Sequence, residues 1–215
     1  MLIDLRTDPG WMDAVLALNA RFETETSPLS ADQLQGLLDQ SVHAPAWVIG
    51  PPVEPPAESP AKPPVDASAA PPTQHPGAPG GTAILGGFLI ALGPDASYDS
   101  PNYRWFQARG GRFAYVDRVI VAPEAGRGGI ARALYADLAR AALAAGLAEI
   151  TCEVNRIPPN PASDAFHARL GFAEIGRMQT GAKTVRFLSL PAAAGAAGGA
   201  AAGIEGSSAA PQTLA

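Results

Sequence analysis

Residues 119–131 read VIVAPEAGRGGIA and run straight into the amphipathic segment RALYADLARAALAAG. No other stretch restricts the fold as tightly. An apolar strand, a proline turn, a glycine-rich loop and a helix start follow one another within 13 residues. A loop of that kind leaves backbone N–H groups without acceptors at the positive end of a helix dipole. It is an anion site, most naturally for a phosphate or pyrophosphate. A strand feeding such a helix also points to an α/β architecture.

Two familiar phosphate loops can be tested against these residues. The dinucleotide fingerprint G-x-G-x-x-G fails. Its third glycine falls on Ala131, and no acidic residue ends a following strand at the expected distance. The G-x-x-x-x-G-K-[ST] loop fails because no Lys-Ser or Lys-Thr follows the glycines. A third pattern, Q/R-x-x-G-x-G/A placed three residues after a strand-ending proline, fits the length and context. Counted from Pro123 it covers Gly126, Arg127, Gly128, Gly129, Ile130 and Ala131. This loop resembles the acyl-CoA pyrophosphate loop of the GNAT superfamily of N-acyltransferases. It departs from it at Gly126, where Gln or Arg is usual, with the arginine moved to Arg127.

A second block carries the same resemblance. Asn160 to Phe172 reads N-x-x-S-x-x-F-H-x-x-x-G-F, similar to the family's N-x-x-A-x-x-L-Y-x-x-x-G-F. The runs YDSPNYRWF at 98–106, FAYVDRVIVAP at 113–123 and CEVNRIPPNP at 152–161 look like a bacterial subgroup of predicted acetyltransferases. That likeness spans residues 1–50 and 82–191. The resemblance implies a GNAT fold: a mixed central sheet of about six to seven strands, flanked by helices, with a splayed central strand pair. It implies acetyl-CoA as co-substrate and an amine of a small molecule, amino acid or peptide N-terminus as acceptor. A homodimer is compatible with it, but no residue locates an interface.

Composition sets the boundaries. Residues 51–81 hold eleven of the 22 prolines, among Ala, Gly and Ser. Proline fixes φ and removes donors, so an extended, disordered insertion is predicted there. Residues 192–215 are nearly all Ala, Gly and Ser with one charge, Glu205, too little apolar bulk to offset ordering entropy; a disordered tail is predicted. About 160 residues remain for one domain over 1–191. A net charge of −5 argues against nucleic acid, which needs a basic patch. The opening MLIDLRTDPGW has neither a basic n-region nor an apolar h-region. Outside the Ala/Gly tail no apolar run is long enough for a membrane helix, and the lone Cys152 fits a reducing compartment. The expectation is a cytoplasmic protein with no membrane partner. No Cys/His spacing suggests a metal.

In chain order the patterning predicts a strand over 2–6, a helix over 10–24 and a helix over 31–40 capped by Ser30. Strands follow over 46–49 and 83–92, forming a hairpin whose enlarged loop is 51–81. Further predictions are a central strand over 113–121, a helix over 130–145, a strand over 149–154, a helix over 163–170, and strands near 172–177 and 184–190. Residues 100–113 read as a connection between two strands.

Amine acetylation needs a free amine, a stabilised oxyanion and a way to protonate the leaving thiolate. By resemblance, the backbone of Val119, Ile120 and Val121 pairs with the pantetheine arm. His167 stands where the family often has a tyrosine that protonates the thiolate. Asp117 on the central strand is a candidate general base, and Glu153 on the next strand is its rival. Each has a structural alternative. His167 can be a helix-face histidine hydrogen-bonding its surroundings. Asp117 can ion-pair with Arg118 or an arginine of 104–112, and Glu153 can face solvent. Asn160 can touch the cofactor arm or cap a turn. Cys152 reads as a small buried residue. Tyr103, Arg104 and Arg109 are assigned to the acceptor wall, with an arginine reading an acidic group. The competing class is a non-catalytic acyl-CoA-binding module.

Overall fold

FAYVDRVIV is apolar on both sides of the pleat at all but two positions, a pattern suited to a strand covered on both faces. It forms β5 (Phe113–Val121), at the centre of one eight-stranded sheet. The structure is a computed structural model in which residues 1–23, 26–50, 83–126 and 128–200 are described. The expected insertion at 51–81, residues 201–215 of the expected tail, and Arg127 lie outside the described residues.

The sheet runs β1 (Leu2–Asp4), β3 (Pro45–Ile49), β4 (Ile84–Leu92), β5, β6 (Glu149–Ile157), β8 (Lys183–Pro191), β7 (Ala173–Thr180), and β2 (Ser41–His43) pairs with β4. Every pairing is antiparallel except β5–β6. A parallel pair needs a crossover, and α4 (Ile130–Ala144) supplies it. Ile49 opposes Ile84, so the two ends of the 51–82 segment are neighbours on one hairpin. Helices α1 (Met12–Ala20), α2 (Ala31–Gln40) and α3 (Pro101–Arg109) cover one face. Helices α4, α5 (Pro161–Leu170) and α6 (Ala192–Ala200) cover the other.

Ser30 caps α2 in a reciprocal box with Gln33, as Ser-x-x-Gln predicts. Three readings need correction. The 100–113 run is largely helical. Ser100 accepts a hydrogen bond from the Tyr103 N–H, Pro101 stands at the first helical position, and Gly110 at φ 77° ends the helix. The predicted 10–24 helix is shorter. A 3-10 turn at Pro9–Trp11 leads into α1, and tight turns at Arg21 and Phe22 close it. Residues 192–200 of the expected disordered tail form α6. Gly195 comes so close to α4 that a Cβ there would sit 3.0 Å from the Ala139 Cβ, so the small side chains that weaken the segment alone permit close packing.

The feature that builds a site is where β5 and β6 part. They pair only through Phe113↔Glu149, Ala114↔Ile150 and Tyr115↔Thr151. On its other edge, β5 places Arg118 opposite Ile90 and Val116 opposite Ala91. Asp117 is therefore the extra residue of a β-bulge. A bulge bends its strand and re-aims side chains, and this one lies just beyond the last β5–β6 pair. The central strands are splayed there, as the resemblance implies.

Candidate active site

The loop after β5 supplies the first part. Gly126 has φ 65° and ψ −164°, a region essentially reserved for glycine. Gly129, at φ 74° and ψ 15°, is the N-cap of α4 and offers no side-chain acceptor to the first turn. The N–H groups of Ile130 and Ala131 therefore have no intrahelical acceptor. Ile130 itself is buried against Gly86 and Gly87 of β4. A Cβ on Gly87 would lie 2.8 Å from the Ile120 carbonyl oxygen, so the glycine pair lets strand, loop and helix close up.

The strand edge supplies the second part. Ala122 N–H donates to Gly86 O. By antiparallel alternation Ile120, opposite Phe88, then turns its polar groups toward β4, whereas Val119 and Val121 turn theirs toward the gap. Of the three backbone positions expected to pair with a pantetheine arm, Val119 and Val121 face the right way and Ile120 does not.

The third part is a cavity of about 310 Å³ on the α1–α3 side of the splay. The bulge puts Asp117 and Arg118 on this same face, and they pair at 2.7 Å. Arg118 is buried and also donates to Asn19 Oδ1 (2.7 Å) and to the hydroxyl of Ser27 (3.4 Å). It thereby ties α1 and the segment after it to the cavity floor. The carboxylate of Asp117 is thus engaged by Arg118, as its structural alternative foresaw. Tyr98 places its hydroxyl beside Asp117; burial, then that negative charge, raises its pKa.

Glu153 is different. Its Oε1 accepts from Asn102 Nδ2 (2.8 Å) and Tyr115 OH (3.0 Å). Its Oε2 is buried and has no partner among the described residues. Burial pushes the carboxyl up to about 7, against the lowering effect of those two hydrogen bonds. A half-buried carboxylate that titrates near neutrality and lines a cavity has the properties of a general base.

His167 lies on the other face of the sheet, within Tyr135, Phe166 and Phe172. Its Nδ1 sits 2.9 Å from Ser163 O, which can only accept, so Nδ1 carries the proton. Nε2 then accepts from Tyr135 OH at 2.9 Å. Burial pulls the ring down to about 4, so it is neutral at pH 7. Of the two readings left open, the geometry agrees with the hydrogen-bonding histidine and removes the free proton donor. Asn160 caps α5 through Ser163 N–H (3.1 Å). Cys152 is buried, and burial raises its thiol well above the ordinary range.

The expected acceptor wall also changes. Tyr103 is fully buried, its hydroxyl donating to Gly93 O at 2.6 Å. Arg104 pairs with Asp99 in the open. Arg109 pairs with Glu149 at 2.6 Å, at the opposite end of β6 from the splay. None of the three lines the cavity, because α3 points them into the core or outward. Trp105 stacks on Phe187 and leans over Gly176. The residues that do line it include Tyr98, Asn102, Tyr115 and Asn155. Tyr115 was within reach of sequence reading, being two residues from Asp117 on one strand. Asn102 required reading Ser100-Pro101 as a helix start.

A model of the acetyltransferase (GNAT) family matches residues 56–172, more than half the chain. The chain belongs to the GNAT acetyltransferase family. No curated protein matches it. Solved structures share the fold of this GNAT protein at low identity. The ribosomal-protein-S18-alanine N-acetyltransferase from Escherichia coli is 16% identical with a TM-score of 0.53, over 89% of this chain and 94% of that one. Acetyltransferase yncA from Salmonella typhimurium, solved with acetyl-CoA, is 14% identical with a TM-score of 0.54, over 89% and 93%. Arabidopsis thaliana NAA60, solved with a bisubstrate analogue, is 12% identical with a TM-score of 0.56, over 89% and 98%. Among the described residues no helix is long and apolar enough to cross a membrane.

Proposed function

We propose that this GNAT protein transfers the acetyl group of acetyl-CoA to a primary amine, by direct attack within a ternary complex. The observation that carries the reading is the unpartnered Oε2 of Glu153, buried in a cavity that opens beside the splayed strands. The chain fits the co-substrate on its own features. The uncapped start of α4 suits the pyrophosphate. The edge groups of Val119 and Val121 suit the amides of the pantetheine arm.

The acceptor nitrogen enters the cavity and Glu153 Oε2 takes its proton. The nitrogen lone pair attacks the thioester carbon, an N–C bond forms and the C–S bond breaks; the nitrogen's surplus proton goes to the departing thiolate, giving the amide and the CoA thiol. An N–H on the free edge of β5 is the donor available to the carbonyl oxygen as charge builds there. The thiol of the leaving group, with a pKa near 8.5, departs without strong acid assistance, so a buried neutral His167 is no obstacle. A base near 7 is matched to an α-ammonium of about 8 and poorly matched to a lysine ammonium of about 10.4. This favours an amino acid, a peptide N-terminus or another weakly basic amine as acceptor. Acetyl is the acyl group proposed.

The test is acetyl-CoA-dependent CoA release across amino acids, short peptides, polyamines and aminoglycosides, with acetyl-CoA affinity measured by calorimetry. Turnover that Glu153→Gln removes, with acetyl-CoA affinity retained, is expected. Tight acetyl-CoA binding with no turnover on any class would favour a non-catalytic acyl-CoA-binding module instead. Absence of binding would remove the reading altogether.

A further inference from the structure

The cavity has one ionic group that neither the acetyl-transfer chemistry nor an ion pair among the described residues uses. Lys183, the first residue of β8, lines it from the rim. The sequence has only two lysines, and the other, Lys62, lies in the proline-rich segment. Among the described residues Arg118 is the only other cation lining the cavity, and it is buried and held by Asp117, Asn19 and Ser27. Lys183 has no ion pair among the described residues. The cavity therefore presents a proton acceptor at its inner end and an uncommitted positive charge at its mouth.

The register fixes their separation. Glu153 stands opposite Phe187, four residues along β8 from Lys183. At a strand rise of about 3.3 Å per residue that is about 13 Å. With the lysine standing out from its strand, two hydrogen bonds of about 2.9 Å, one at each end, take up about 6 Å of that span, which leaves about 7 Å for the acceptor itself. Glu153, Asn155, Val185, Lys183, Met178 and Thr180 all line the same cavity, so the span runs along one continuous sheet face. Two extended residues cover about 7 Å.

Resting on the acetyltransferase reading, we propose that the acceptor is a small α-amine bearing a carboxylate about two residues from its nitrogen, a dipeptide, and that Lys183 binds that carboxylate. A dipeptide places its α-amine at Glu153 and its C-terminal carboxylate at Lys183. A free α-amino acid reaches both only with the lysine folded back along its strand, and a diamine meets a like charge at the rim.

The test uses matched acceptors on the full chain: dipeptides with a free C-terminus against their C-terminal amides. Each is measured by CoA release and by calorimetric binding to the protein–CoA complex, for the wild type, Lys183→Ala and Lys183→Glu. The wild type is expected to favour the free acid about tenfold in kcat/KM, through KM, the scale of one charge-assisted hydrogen bond. Lys183→Ala is expected to bring acid and amide together, and Lys183→Glu to favour the amide. Equal handling of acid and amide by the wild type overturns the proposal, as does a preference that survives in Lys183→Ala. Turnover without an acid preference sinks the lysine assignment and leaves the transferase reading standing. An acid preference in binding without turnover supports the lysine assignment and removes the transferase reading.

Discussion

Glu153→Gln should trade activity for stability, and both halves follow from one group. The carboxyl titrates at about 7 in the fold against an ordinary 4.5. A raised carboxyl pKa means that the folded chain holds the proton more tightly than the unfolded chain. Stability is therefore fully present below about pH 4.5 and lost as pH rises through 7. A rise of that size corresponds to a loss of up to about 3 kcal/mol by pH 8. Gln is neutral at every pH, and its Oε1 can still accept from Asn102 and Tyr115. The variant should melt about 5–10 °C above the wild type at pH 8 and close to it at pH 4.5. Its kcat/KM for the acceptor should fall by about 10²–10⁴, the usual contribution of a general base. The wild-type rate should rise with pH through an apparent pKa near 7. Thermal unfolding in matched buffers and the CoA-release assay measure the two halves. Equal melting temperatures of wild type and variant at pH 8 would refute the buried-carboxylate argument, and wild-type kcat/KM in the variant would refute its role as base.

Three other outcomes follow from placement. Gly126→Ala forces a side chain into a backbone region nearly reserved for glycine, and should cost about 1–3 kcal/mol and weaken acetyl-CoA binding at least tenfold. Calorimetry and thermal unfolding read both effects. Arg104→Ala and Arg109→Ala should leave acceptor KM within about twofold, because surface ion pairs outside the cavity carry little energy; a large KM shift would return α3 to the acceptor wall. Gly176→Val should destabilise by about 1–3 kcal/mol through overpacking against Trp105, since even a Cβ there lies 2.5 Å from the Trp105 ring.

What sequence reading captured and missed divides by physical range. Strand β5, helix α2 and the glycine loop are set by local periodicity, a capping box and glycine-only dihedrals, and they match the structure to within a residue or so. The bulge at Asp117 is invisible to periodicity, because it exists only in the register between β4 and β5. Without it, Asp117 and Arg118 would point to opposite faces. The choice between Asp117 and Glu153 turns on which carboxylate already has a cation, a tertiary fact. The different placement of Tyr103, Arg104 and Arg109 has a local cause: Ser100-Pro101 starts a helix where a connection between two strands is expected. On a helix, neighbours diverge by 100° per residue, so one faces the core and the next the solvent.

Glu153 and His167 make the same point in thermodynamic terms. They lie on opposite faces of one sheet, share no hydrogen bond, and have opposite pH signatures. His167 is lowered from 6.5 to about 4 by burial. Its contribution is present above about pH 6.5 and lost as pH falls toward 4, because the unfolded chain then binds the extra proton. Each group is worth up to about 3 kcal/mol over its own window. Between pH 4.5 and 6.5 the two slopes oppose, so wild-type stability should be nearly flat there. Glu153→Gln should uncover a loss of stability on acidification, and His167→Asn a loss as pH rises to 7. The double variant should be flat again, since separate sites add. The slope with pH is the quantity read, so a cavity left by Asn lowers the level without altering the test. A Glu153→Gln protein whose stability does not fall between pH 6.5 and 4 would mean that His167 is not held neutral. His167 would then be available to protonate the departing thiolate.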